Sequence, residues 1–445
     1  KCKMKTWIFG LKDWSNMQSN ELLKKIRDQY LGPSLSLSYK QPLHIVSGQG
    51  QYLYDADGKE YLDAVNNIQH VGHCHPKLVE VASSQLQKLN TNTRYLDETI
   101  LNYAQALADK LPEGLDKFFF TNSGSESNDL ALRLARHYTN SLETIVLDGA
   151  YHGHLISLIE ISPYKYNGPG GQGKPGHVHA VPMPDPFRGK YRGPDSGRSY
   201  RDEVKKIIDK IRSSSKNVSA FIAESIMGCG GQLIPPSNFL KEAYDLIRDE
   251  GGLCIADEVQ IGLGRMGEHF WGFETQAIVP DVVTIGKSIG NGHPLSVVVT
   301  TKDVADRFNN GMEYFNSFGG NPVSCAIGHA VLDIIEEEEL QKNAYKLGNI
   351  MLSMLMELKE KHDLIGDVRG KGLFVGIELI SDLKSLKPAG DMANHIVDQM
   401  KDRGILLSTD GPDHNVIKIK PPMVLNELDL DTTLKHLNDI LACKV

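Results

Sequence analysis

The chain has 445 residues, with 48 Lys and Arg against 56 Asp and Glu, a formal net charge of −8. That balance excludes a general electrostatic role on nucleic acid, which needs a basic face. Hydrophobic residues at 40% and charged residues at 23% describe a globular chain, long enough for two or three core-forming units.

In chain order, Lys1-Cys2-Lys3-Met4-Lys5 is followed by few apolar residues, so no signal peptide is evident, and no apolar stretch is long enough to span a membrane. The cysteines (Cys2, Cys74, Cys229, Cys254, Cys325 and Cys443) are scattered without a CxxC pair. This argues against a zinc site or a disulfide framework and predicts a reducing, cytoplasmic location. Gln51 to Leu62 reads as a hairpin with Asp57-Gly58 at the turn. Phe118-Phe119-Phe120 leads into a turn and a helical pattern from Ser125 to His137. Short apolar runs follow at Thr144–Leu147, Ala220–Ala223, Gly252–Ala256, Asp281–Ile285 and Leu295–Thr300. Such runs suit strands buried on both faces, and helical patterns such as Asn238–Glu250 separate several of them. The expected fold class is therefore α/β, with a mostly parallel sheet and crossover helices. Ser162 to Gly197 is rich in Gly and Pro and reads as a long ordered excursion. From about Val323 come long helical stretches, then short strands near Gly372–Leu379 and Val416–Ile419. The expected organisation is a large domain at 71–325 and a smaller α+β domain built from both ends, 1–70 and 326–445.

Four constellations carry chemistry. Thr121-Asn122-Ser123-Gly124-Ser125-Glu126-Ser127-Asn128 lies between a strand and a helix. It suits either a phosphate group or a plain helix N-cap. In Ala150-Tyr151-His152-Gly153-His154 an aromatic follows a strand, to stack on a planar ligand or to pack in the core. Asp257 ends a buried apolar run, where a carboxylate needs a partner such as a protonated ring nitrogen; Glu258 beside it reads as a structural ion-pair partner. Lys287 ends the next run, in Gly286-Lys287-Ser288-Ile289-Gly290-Asn291-Gly292-His293-Pro294. It is either ordinarily ion-paired or used as a Schiff-base lysine. All four fall at predicted carboxyl ends of strands, where open α/β sheets bind ligands. Taken together they describe a site for a phosphate, a flat ring, a protonated ring nitrogen and an aldehyde, which is pyridoxal 5'-phosphate (PLP).

These motifs, with GHCHP (Gly72–Pro76), ADEVQIGLGR (Ala256–Arg265) and SFGGNPVSC (Ser317–Cys325), resemble the class III aminotransferase family of fold-type I PLP enzymes. The resemblance runs from about Pro33 to the C-terminus. It implies a seven-stranded large domain and a homodimer, and leaves open the pairing of dimers into a tetramer. Lys287 would carry PLP, Asp257 would pair with its ring nitrogen, and Gly124 and Ser125 would bind its phosphate. Tyr151 and Val259 would cover the two ring faces, Gln260 would approach the ring hydroxyl, and Glu224 would support it. Ser317, where Thr is usual, would reach the phosphate bound by the neighbouring subunit.

Narrower matches, among them YLDAVNNIQHVGHCHP (Tyr61–Pro76), FIAESIMGCGGQLIPP (Phe221–Pro236) and STDGPDHNVIKIKPPM (Ser408–Met423), resemble the ethanolamine-phosphate phospho-lyase group and its sister acting on 5-phosphohydroxy-L-lysine. Most class III members carry an Arg for the substrate carboxylate three residues before the Pro-Pro pair; this chain has Lys418. Lys is a point charge and Arg a bidentate fork, so the exchange is not conservative. Lys418 and Lys420 also fit structural surface positions. The resemblance implies a phosphorylated amine substrate, with β-elimination of phosphate as the reaction and transamination of an ω-amino acid as the alternative. Arg94, Lys165, Arg188 and Arg192 are candidate phosphate-binding cations, with Tyr95 shaping the pocket. Arg188 and Arg192 fit loop anchors equally well.

Overall fold

The computed structural model describes residues 19–443. The lysine-rich start and Cys2 lie outside them. Strands β1 (Ile45–Gln49), β2 (Tyr52–Asp55) and β3 (Glu60–Asp63) form an antiparallel meander. The expected hairpin is β2–β3. Its turn forms because Asp55 Oδ1 accepts from the backbone N–H of Asp57 (3.0 Å) and Lys59 (2.8 Å), while Gly58 takes a φ of 81°.

Seven strands make the central sheet: β4 (Leu115–Thr121), β5 (Glu143–Leu147), β6 (Val178–Val181), β7 (Val218–Ala223), β8 (Leu253–Asp257), β9 (Val282–Ile285) and β10 (Ser296–Thr301). Their order is β4-β10-β9-β8-β7-β5-β6, and β10 alone runs antiparallel to its neighbours. Consecutive residues of one strand enter different cores. Ile145, Phe221, Cys254 and Val283 join the larger cluster, with Phe239 and Tyr244 of the helix Phe239–Asp249. Val146, Ile222, Ile255 and Val282 join a second cluster with Leu130, Leu134 and Ala135 of the helix Gly124–Thr139. Helices on both faces explain why these strands read as continuous apolar runs.

The sequence reading placed no strand in residues 162–197, yet β6 lies there, parallel to β5. A four-residue edge strand set among Gly and Pro is too short to leave a period. The C-terminal part adds β11 (Ile365–Lys371), β12 (Phe374–Asp382), β13 (Lys387–Pro388), β14 (Ile405–Leu406), β15 (Ser408–Asp410) and β16 (Val416–Ile419). β14 pairs in parallel with β3, Ile405 opposite Leu62, so strands from both chain ends share one sheet. Among the described residues no helix is long and apolar enough to cross a membrane, and no group of His, Cys, Asp and Glu is set to hold a metal.

Candidate active site

β4, β5, β7, β8 and β9 run in one direction, so the loops after them meet at one edge of the sheet. There a cavity of about 140 Å³ brings together Gly124, Ser125, Tyr151, Glu224, Asp257, Val259, Gln260 and Lys287. The eight residues that the resemblance assigns to the PLP site of a single chain thus line one cavity.

The first loop begins a helix. Ser123 is its N-cap, with Oγ accepting from Glu126 N at 3.2 Å, and the Glu126 carboxylate accepts from Asn122 N at 3.0 Å. The capping reading therefore holds, and Gly124 and Ser125, just after the cap, line the cavity. The loops touch closely here. A Cβ on Gly124 would stand 2.8 Å from Val259 Cγ1, and one on Gly286 would stand 3.3 Å from Gly124 Cα. Only glycine permits the approach.

Asp257 is buried, and its position is fixed from three sides. Its Oδ2 accepts from Asn128 Nδ2 and His152 Nδ1, each at 2.8 Å, and its Oδ1 accepts from Val259 N at 3.1 Å. Oδ1 keeps acceptor capacity for a further donor. Asn128 is itself held by Thr284 Oγ1 at 2.6 Å and donates to the His152 carbonyl at 2.7 Å. His152 and Asn128 stood inside motifs already singled out, but sequence order gave no sign that both point at Asp257. Glu258 was expected in an ion pair. Instead it accepts from the backbone N–H of Gly272 (2.7 Å) and Phe273 (2.9 Å) and from Ser225 Oγ (3.1 Å).

Lys287 opens a short 3₁₀ turn after β9 with a φ of 44°, a left-handed conformation that a side chain tolerates only under constraint. It makes none of the ion pairs found among the described residues, so the ordinary ion-pair reading has no partner to rest on. Glu224 is fully buried. It accepts from Gly228 N at 2.9 Å, and its Oε1 has no partner. Burial, then the charge of Asp257, raises its carboxyl to about 7.

The remaining candidates sit elsewhere. Lys165 stands 5.6 Å from the Tyr151 ring centroid and lines a neighbouring cavity of about 520 Å³ with Tyr164 and His414. Arg94 pairs with Glu313 at 3.1 Å and stacks on Phe315 at 4.2 Å, on an exposed face that also carries Tyr95 and Ser317. None of these three lines the cavity of its own chain. Arg188 anchors a loop through Glu378 and Asp413, and Arg192 is exposed. Lys418 pairs with Asp410 at 2.9 Å. Lys420 is not a surface residue: it is buried, 3.2 Å from Asp410 and 3.3 Å from Gln260 Oε1.

The class III aminotransferase family profile matches residues 36–441. The chain belongs to the class III aminotransferases. Among relatives, an alanine–glyoxylate aminotransferase 2-like protein of Drosophila melanogaster is 49% identical over 94% of this chain and 86% of its own length. Ethanolamine-phosphate phospho-lyase homolog 1 of Caenorhabditis elegans is 41% identical over 96% and 94%. A phospholyase from Arthrobacter, solved in complex with phosphoethanolamine, aligns at 38% identity with a TM-score of 0.91 over 95% of this chain and 100% of that one. As a member of this family the protein uses PLP. The cavity fits that cofactor: a glycine cradle at a helix N-terminus, a carboxylate with spare acceptor capacity, an aromatic face, a lysine without an ion pair and a buried orphan oxygen on Glu224.

Proposed function

We propose that this protein is a PLP-dependent phospho-lyase that eliminates phosphate from ethanolamine phosphate, giving acetaldehyde, ammonia and inorganic phosphate. The observation that carries this reading is at Lys418. The position where most family members hold a carboxylate-binding Arg is a lysine tied to Asp410, and among the described residues no guanidinium of the same chain lines the cavity. A substrate without a carboxylate leaves nothing unpaired there. The same feature admits 5-phosphohydroxy-L-lysine, whose carboxylate lies far from its reacting amine. The likeness to a phospholyase solved with phosphoethanolamine favours the smaller substrate.

When bound, PLP supplies an electron sink that acidifies the carbon bearing the amine. Lys287 Nζ takes that proton as general base. Asp257 Oδ1, fixed through Asn128 and His152, holds a proton at the ring nitrogen. Gly124 and Ser125 would hold the cofactor phosphate, Tyr151 and Val259 would enclose the ring, and Gln260 with Glu224 would support its hydroxyl. Phosphate leaves from the adjacent carbon with the electrons of its C–O bond, and water converts the remaining two-carbon amine to acetaldehyde and ammonia. Lys165, beside Tyr151, is the cation assigned to the leaving phosphate. The active unit is a homodimer in which the face carrying Arg94, Tyr95 and Ser317 meets the partner's cavity.

Purified protein given ethanolamine phosphate and no oxoacid is expected to release phosphate, ammonia and acetaldehyde in equal amounts, and Lys287→Ala none. The 49% identity to an alanine–glyoxylate aminotransferase 2-like protein favours transamination as the second reading. Activity only with an added oxoacid, and no phosphate release, would establish that reading and exclude the lyase.

A further inference from the structure

Lys420, in the C-terminal part of the chain, touches Gln260 in the cavity wall. It follows β16, and its ammonium lies 3.2 Å from Asp410 Oδ2, 3.3 Å from Gln260 Oε1 and 4.5 Å from the centroid of the Phe374 ring. Asp410 is already engaged, by Lys418 at 2.9 Å and by Gln232 Nε2 at 2.8 Å. Two lysines thus share one carboxylate, and the cluster carries a surplus positive charge that the Gln260 carbonyl oxygen partly absorbs.

Gln260 is held on every side. Asn67 Nδ2 donates to its backbone oxygen at 3.2 Å and reaches its Oε1 at 3.5 Å. Its Nε2 faces Glu224 Oε2 at 3.5 Å, and a Cβ on Gly228 would stand 2.5 Å from that nitrogen. An amide has two orientations of nearly equal shape. A cation against one end excludes the orientation that points N–H₂ at it.

We propose that Lys420 is a positioning residue for the cofactor: it fixes the Gln260 amide with its oxygen toward the C-terminal cluster and its N–H₂ toward Glu224 and the cavity. The inference rests on the cofactor contact proposed for Gln260 and is independent of which reaction follows. Met fits the site as a replacement, because removing the Lys420 charge leaves Lys418 and Asp410 as a neutral pair and orphans no ion.

The test is a double-mutant cycle on holoenzyme, read by the visible absorption band of bound PLP and by the rate of PLP loss on dilution into cofactor-free buffer. Lys420→Met is expected to displace the band and to speed PLP loss by about tenfold, while in a Gln260→Ala background it adds less than about twofold. Gly228→Ala, which crowds the same amide without touching Lys420, is expected to reproduce the effect and keeps the test open if Lys420→Met fails to fold. Equal effects of Lys420→Met in both backgrounds would overturn the inference, as would a Gly228→Ala holoenzyme with unchanged band and release. Unchanged PLP release in Gln260→Ala alone would remove the cofactor contact and the inference with it, and would leave the reaction class untouched.

Discussion

His70 lies outside the cavity, yet its surroundings couple it to acid stability. It is fully buried, with Nε2 at 2.7 Å from the Leu263 carbonyl and Nδ1 facing Arg265 at 3.3 Å. Burial, then the neighbouring guanidinium, lowers its pKa from 6.5 to about 3. The unfolded chain therefore takes up this proton first as pH falls. The stability linked to His70 is present above pH 6.5 and is lost on the way toward pH 3, with a slope of at most about 1.4 kcal/mol per pH unit. His70→Gln is expected to flatten the acid limb of urea-unfolding midpoints between pH 6.5 and 4; an unchanged slope would count against this. At this scale the motifs were informative about Lys287, Asp257 and Gly124, whose chemistry is local to a strand end. They left Lys420 as a surface position, which its burial overturns. Strand alternation puts Lys418 and Lys420 on one face but cannot say which of the two is covered.

Elements constrain the site by how closely they approach. The helix Leu340–Lys361 packs against the β11–β12 turn so tightly that a Cβ on Gly348 would stand 2.4 Å from Gly372 Cα. The Cβ position is fixed by its own backbone and the atom it meets is backbone, so neither yields by a rotamer change. Gly348→Ala is expected to destabilise the protein by about 1–3 kcal/mol through overpacking, seen as a lower thermal midpoint. Ser353→Ala, on the exposed side of the same helix, is expected to stay within about 0.5 kcal/mol. A Gly348→Ala midpoint equal to that of Ser353→Ala would refute the packing argument. The long apolar strands and the helix after Gly124 were legible from their period. The edge strand β6 and the short pairs β13 and β14 were not, because two to four residues carry no periodic signal.

The whole molecule presents a face that a monomer has no reason to keep. Tyr95 is 68% exposed, Leu96 99%, Met312 71% and Phe318 70%, and the stacking of Arg94 on Phe315 ties the two segments together. Scattered exposed apolar residues are ordinary, but a contiguous set marks an interaction surface. In the proposed homodimer this face is covered. Sedimentation is expected to give a dimer, and the double variant Leu96→Asp with Phe318→Asp to give a monomer that loses PLP. A wild-type monomer that retains PLP and activity would refute the shared-site dimer.

From sequence alone came the α/β class, a mostly parallel sheet and the PLP chemistry, because each depends on residues near one another in the chain: apolar runs, turn residues, and side chains at strand ends. The tertiary structure alone decided which groups hold those side chains in place. Asn128 and His152 meet on Asp257, Asn67 and Lys420 close on Gln260 from opposite ends of the chain, and β14 joins β3. These contacts each span more than a hundred residues, from 105 for His152–Asp257 upward, and packing of the whole chain sets their register, which no local pattern encodes.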